Sequence, residues 1–177
     1  MSDSNNQKFN HLKIHTQYSI CEGAIKIDKL KDFCKENKIQ CLGLSDTSNL
    51  CGALEFAENI SKVGTQPIIG TQINFKYEDT TGLLPLIALN EKGYKRIINL
   101  SSKSYLENDN LSDPHLDIKE LLIETEGVII LSGTIHGLFG KLFEKGRFEE
   151  ISKLYQAISK KFNDRFYLEI QRHGDQN

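Results

Sequence analysis

Short apolar segments alternate with longer amphipathic segments along the 177-residue chain. The apolar segments have strand length, whereas the amphipathic ones repeat apolar residues at helical spacing. Predicted helices cover residues 25–36, 50–63, 92–104, 117–125, 138–145 and 148–162. Predicted strands lie within residues 9–19, 40–45, 67–75, 83–89, 127–131 and 165–170, with a turn at 80–82. This alternation predicts an α/β fold with a mostly parallel sheet, either open and doubly wound or closed into a barrel.

The overall charge of the chain is close to neutral, at −2 with 22 basic and 24 acidic residues. It therefore gives no sign of the basic face that binds nucleic acid. The polar residues 1–8 lack the apolar stretch of a signal peptide, and no apolar run approaches the ~20 residues that span a bilayer. We expect a flexible N-terminus at 1–8 and a cytoplasmic protein without membrane contact.

The four cysteines lie in the first third of the chain and lack the paired spacing of a zinc knuckle. They are Cys21, Cys34, Cys41 and Cys51. We expect reduced thiols packed as small apolar residues.

Polar residues follow most of the predicted strands. The carboxyl ends of parallel strands meet at one edge of a sheet or barrel, so these residues predict a polar site there. The set comprises His15, Asp46, Thr47, Gln72, Ser132, Thr134, Glu169, Arg172 and His173, with Glu22 in the loop after the first strand. Imidazole and carboxylate groups from His15, Glu22 and His173 could bind a divalent metal.

Simpler roles compete with these interpretations. A lone histidine is more often a hydrogen-bonded structural residue than a ligand, and Asp46 could cap the helix that follows it. The chain lacks the G-x-x-x-x-G-K-[ST] phosphate loop and the G-x-S-x-G nucleophile turn.

Several short motifs follow one another in a fixed order. They read FNHLKIHTQYS at 9–19, GLSDTSNLCGA at 43–53, KVGTQPIIG at 62–70, NEKGY at 90–94 and DRFYLEIQRHG at 164–174. Together they resemble the N-terminal polymerase-and-histidinol-phosphatase (PHP) domain of bacterial DNA polymerase III alpha subunits.

The resemblance implies a PHP-type distorted (β/α) barrel, similar to a TIM barrel. It also implies that residues 9–177 form this domain without its last strands, as if truncated at the C-terminus. Active members hold a cluster of metal ions at the ends of the strands with His, Asp, Glu and Cys. The metals activate water for phosphoester hydrolysis, in some polymerases as a 3′–5′ proofreading nuclease.

This chain departs from the family's ligand pattern. The family has histidine, histidine, glutamate and cysteine at positions that this chain fills with Lys13, Thr47, Gln72 and Thr134. His15 keeps its ligand identity and Glu22 stands where aspartate is common, so these two are the candidate metal ligands. The degenerate site comprises Lys13, His15, Glu22, Asp46, Thr47, Gln72, Thr134 and His173. The Lys13 ammonium could replace part of the metal's charge against Glu22 or another carboxylate.

The resemblance therefore implies a domain that serves as a scaffold in a replicative polymerase and docks a separate proofreading exonuclease subunit. No cofactor is expected in the domain itself, although the remaining donors leave zinc or manganese possible. The intact protein would be a Mg²⁺-dependent DNA polymerase that meets DNA and the sliding clamp through its other regions. The alternative is a metal-dependent phosphoesterase or 3′–5′ exonuclease of the same superfamily.

Overall fold

The structure, a computed structural model, describes residues 9–108 and 112–170. The expectations for residues 1–8, Arg172 and His173 lie outside this part of the chain. The helices are α1 (Ile27–Asn37), α2 (Ala53–Ser61), α3 (Glu91–Leu106), α4 (Ile118–Ile123), α5 (Leu138–Glu144) and α6 (Phe148–Phe162). The strands are β1 (Cys41–Thr47), β2 (Gln66–Tyr77), β3 (Thr80–Ala88), β4 (Leu116–Asp117), β5 (Val128–Leu131) and β6 (Phe166–Tyr167).

The described strands form one mixed sheet in the order β1-β2-β3-β5-β6, with β4 paired to β2. β1 and β2, β2 and β4, and β5 and β6 are parallel. β3, however, runs antiparallel to both of its neighbours, β2 and β5. The α/β class is confirmed, whereas the prediction of a mostly parallel sheet is wrong at the centre of the sheet.

A tight hairpin explains the antiparallel pairing of β2 and β3. Only Glu78 and Asp79 connect the two strands, and Glu78 has a positive φ of 53°. A connection this short cannot make the crossover that a parallel pair needs. The turn predicted at residues 80–82 is wrong, because these residues pair with the end of β2.

The absence of a side chain at Gly82 has a packing reason. A Cβ at this position would lie 2.5 Å from the backbone nitrogen of Leu138, the first residue of α5. Gly82 therefore lets the start of α5 approach the sheet closely, and it does not mark a turn.

Two apolar clusters hold the layers together. The smaller packs α1 and α2 against β1 and contains Ile27, Leu30, Cys34, Leu42, Leu44, Ala53, Phe56 and Ile60. The larger packs the later helices against β2, β3 and β5 and includes the fully buried Phe75, Leu86, Leu100, Ile130 and Phe162. The helices bury apolar residues in these clusters, such as Ala53, Phe56 and Ile60 of α2.

The opening stretch lies beside β1 without forming a regular strand. Its backbone makes isolated parallel bridges from Ile14 to Leu44 and from Thr16 to Ile25. The Ile14 amide donates to the Gly43 carbonyl, and the Ser45 amide donates to the Ile14 carbonyl. The predicted opening strand is thus reduced to a short contact along the free edge of β1.

All four thiols are free, and Cys34 is buried in the smaller cluster. Cys21 and Cys51 are exposed and Cys41 is half-buried, so the expected packing as small apolar residues holds only for Cys34. Within residues 9–108 and 112–170, none of the helices combines the length and the apolar character that a membrane crossing requires.

Candidate functional site

A cavity of about 370 Å³ opens beside the middle of β2 and β3 and beside the residues that follow β5 and β6. It is lined by Lys13, His15, Glu22, Gln72, Leu83, Pro85, Gly133, Thr134, His136, Gly137 and Glu169. The structure thereby brings together Lys13, His15, Glu22, Gln72 and Thr134, which the sequence had placed in one site. Thr47 joins this group through its hydrogen bonds, while His173 lies outside the described residues.

The Lys13 ammonium pairs with Glu169, which follows β6. Its Nζ lies 3.1 Å from one carboxylate oxygen of Glu169 and 3.4 Å from the other. Both side chains are largely shielded, with exposed fractions of 18% and 14%. Lys13 thus meets a carboxylate as the sequence suggested, but the partner is Glu169, while Glu22 interacts with other groups.

A chain of hydrogen bonds connects Gln72 in the middle of β2, Thr47 at the end of β1 and Glu22 in the opening segment. The Gln72 side-chain amide donates to the Thr47 hydroxyl at 2.7 Å. That hydroxyl in turn donates to the Glu22 carboxylate through a short hydrogen bond. A threonine and a glutamine therefore stand where the family resemblance places two metal ligands, and they are satisfied by one another and by Glu22.

His15 projects into the cavity between these two groups of residues. Its Nδ1 lies 3.5 Å from the Ser19 hydroxyl and 3.9 Å from a Glu22 oxygen. Burial of the imidazole, aided by the Lys13 charge, lowers the pKa of His15 below its usual value, although Glu22 opposes this shift. The imidazole is accordingly neutral at pH 7.

Asp46 is fully buried beneath the cavity and anchors the opening segment of the chain. One of its carboxylate oxygens accepts from the Thr16 amide at 2.6 Å and from the Ser19 hydroxyl at 2.7 Å. The other accepts from the Thr16 hydroxyl at 2.7 Å. The alternative prediction that Asp46 caps the next helix is wrong, because α2 starts at Ala53 after a Gly52 cap without a side-chain hydrogen bond.

The donors in the cavity do not fit the metal cluster that active PHP members hold. Among the described residues, no three His, Cys, Asp or Glu side chains lie close enough together to bind a metal ion. Lys13 places a positive charge inside the cavity, and a cation there repels a metal ion. His15 and Glu22 remain as a pair of possible ligands, fewer than a catalytic metal site uses.

A sequence model of the PHP domain matches residues 11–173. The chain belongs to the PHP domain family. The match covers the opening motif from His11 onward, all the described helices and strands, and the site residue His173. The PHP fold expected from the motifs is thus confirmed.

Curated relatives of this PHP domain include alpha subunits of DNA polymerase III. The subunit of Caulobacter vibrioides is 38% identical over 98% of the chain, and that of Rickettsia felis is 38% identical over 94%. The subunit of Haemophilus influenzae is 34% identical over 98%. The chain spans only 16%, 14% and 15% of these three relatives, so it corresponds to about one sixth of their length.

Among solved structures, an amidohydrolase from Chromobacterium violaceum with bound sulfate and no metal aligns with 54% of this chain and 32% of its own. The TM-score is 0.45 and the identity 16%.

Two titratable residues of the cavity, Glu169 and His136, were not in the set predicted from the family resemblance. Glu169 was noted only as a polar residue after a strand, and its pairing with Lys13 joins positions 156 residues apart. His136 is exposed at the cavity's rim. The excess positive charge of Lys13 in an otherwise ligand-like motif was the one sequence signal that a buried carboxylate lay nearby.

Proposed function

We propose that this chain is the PHP domain of a replicative DNA polymerase III alpha subunit. Its similarity to such subunits, at 34–38% identity across nearly its whole length, carries the proposal. The intact protein would extend DNA on a template in the cytoplasm, with Mg²⁺ at carboxylates outside this chain. It would contact DNA and the sliding clamp through the rest of the alpha subunit.

Within that protein the domain acts as a scaffold and not as a nuclease. The pairing of the cavity's polar side chains with one another supports this role. Lys13 is paired with Glu169, and Thr47 bridges Gln72 and Glu22. Phosphoester hydrolysis by this family needs metals that activate water and stabilise the leaving oxygen. With the remaining donors reduced to His15 and Glu22, the domain works without zinc or manganese. The resemblance adds a docked proofreading exonuclease subunit as its partner.

The reading frame of the natural gene tests the polymerase assignment. We expect it to continue beyond Asn177 into a polymerase region, since the relatives are about six times as long. A stop codon directly after Asn177 would contradict the assignment and favour a free-standing domain.

Activity measurements test the scaffold role. The purified chain is assayed with a chromogenic phosphomonoester and with 3′-labelled single-stranded DNA, in the presence of Mn²⁺ or Zn²⁺. We expect no turnover above that of a His15→Ala, Glu22→Ala variant. We also expect an exonuclease subunit to co-purify with the chain. Turnover that a chelator abolishes and the double variant lacks would establish the phosphoesterase alternative.

A further inference from the structure

The two ends of the described sheet meet at the cavity. The opening stretch lies along β1, at one end of the strand order, and β6 lies at the other end. Lys13 belongs to the first and Glu169 follows the second, so their ion pair connects the two ends. The sheet must curve around the cavity for this contact to form, as it does in a barrel.

The side of the sheet between these two ends is open and apolar. A groove of about 820 Å³ lies there. It is lined by Phe9 and Leu12 of the opening stretch, by Leu168 and Ile170 after β6, and by residues of β2, β3 and β5. Among the described residues, backbone pairing ends at the opening stretch beside β1 on one side and at β6 on the other. Backbone pairing therefore does not hold the two ends together here.

The backbone is held in place by hydrogen bonds at or next to both charged residues, Lys13 and Glu169. The amide of Glu169 donates to the Ser132 hydroxyl at 2.9 Å, which fixes it against the end of β5. Ile14, next to Lys13, exchanges hydrogen bonds with the backbone of β1. The backbone is thus already ordered at both positions, so pairing costs side-chain entropy but no further ordering of the backbone.

We infer that the Lys13–Glu169 ion pair is an electrostatic clasp that holds the two ends of the sheet together around the cavity. A side-chain ammonium here does what a bound cation does between converging ligands: it neutralises a shielded carboxylate and ties separate elements to one another. The clasp is a property of the fold of this chain. It therefore goes beyond the proposed function and does not depend on the polymerase assignment.

A double-mutant cycle on the whole chain tests the clasp. Lys13→Met, Glu169→Gln and the double variant are unfolded with urea, and the coupling is read from the unfolding equilibrium constants. We expect a coupling of about tenfold, since both groups are shielded from solvent. Lys95 and Glu91 form the control, because their i,i+4 pair is exposed at 71% and 80% and should couple by about twofold.

Native-state hydrogen exchange provides a second measurement that does not require complete unfolding. In the Lys13→Met variant the amides of Ile14 and Ser45 on one side, and of Ser132 and Glu169 on the other, should exchange at least about fivefold faster. Amides in the middle of α3 should keep their rates. The reversed pair, Lys13→Glu with Glu169→Lys, should restore part of the protection.

Two results would overturn the inference. One is a coupling no larger than that of Lys95 and Glu91. The other is faster exchange at only one of the two ends, which would mean that the ion pair stabilises its own loop and does not connect the sheet.

Discussion

At the scale of single residues, the same motif position can serve either chemistry or structure, and the neighbours decide which. Asp46 precedes a position where the family has a histidine ligand, so the sequence placed it in the site. The structure shows its carboxylate turned to the opening segment, where it accepts three hydrogen bonds from Thr16 and Ser19. Those donors lie about 30 positions earlier, so periodicity could not reveal the pairing.

Replacing the Asp46 carboxylate by an amide tests this anchoring role. We expect Asp46→Asn to lower the free energy of unfolding by about 2–3 kcal/mol, because a buried amide nitrogen would face donors that need an acceptor. Urea denaturation measures the loss. The matched control is Asp32→Asn on the exposed face of α1, which should stay within about 0.5 kcal/mol of the parent. Equal effects at the two positions would show that Asp46 does not anchor the opening segment.

Lys13 illustrates what a single sequence can disclose about a site. The family resemblance identified Lys13 as a lost metal ligand, and the charge of a shielded ammonium requires a carboxylate nearby. Which carboxylate pairs with Lys13 depends on how the sheet curves. Glu22, nine residues away, was the natural guess, whereas the fold delivers Glu169 from the far end of the sheet.

At the scale of elements, helices were easier to predict than strands. The predicted bounds of α6, residues 148–162, agree with the structure because its apolar residues recur over four turns. The hairpin was misread because Gly82 looked like a turn residue, whereas the glycine is needed for the close approach of α5. A glycine can indicate either that there is no space for a side chain or that the backbone has an unusual φ, and the sequence does not distinguish the two.

The start of α3 depends on a side-chain cap and on two glycines. The Asn90 side chain accepts from the Gly93 amide at 3.0 Å, and a Cβ at Gly93 would collide with the Gly127 carbonyl. Gly127 has a φ of +72° and its carbonyl accepts from the Leu89 amide. The cap, the helix and the turn before β5 therefore interlock at one point.

Removing the cap of α3 should cost stability without disturbing the site. We expect Asn90→Ala to reduce the free energy of unfolding by about 1 kcal/mol, as for other N-cap residues. Asn90→Ser should retain most of the parent's stability, because a serine hydroxyl can accept the same hydrogen bond from the Gly93 amide. Thermal and urea unfolding of the three proteins provide the measurement. A serine variant as unstable as the alanine variant would contradict the capping role.

At the scale of the whole molecule, the family was predictable, but the way the sheet closes was not. Ordered motifs identified the PHP domain, since each depends only on local sequence. The mixed sheet and the meeting of its two ends arise from contacts between distant positions, which no local pattern encodes. The same separation explains why the candidate ligands were found as a set while their hydrogen-bond partners were not.

The cavity brings together positions at which the family resemblance places metal ligands, so restoring the family's donors there should restore metal binding. In the variant Lys13→His, Thr47→His, Gln72→Glu, Thr134→Cys, the four new side chains together with His15 and Glu22 would supply three imidazoles, two carboxylates and a thiol. This is enough for at least one tetrahedral zinc site. After dialysis, elemental analysis should find about one Zn²⁺ or more per chain. The melting temperature should fall without metal, since the variant lacks the Lys13–Glu169 pair, and should recover when metal is added. The same variant with His15→Ala is the control and should retain less metal. A folded variant that binds no zinc would show that the backbone around the cavity, and not only its side chains, has departed from the metal-binding geometry.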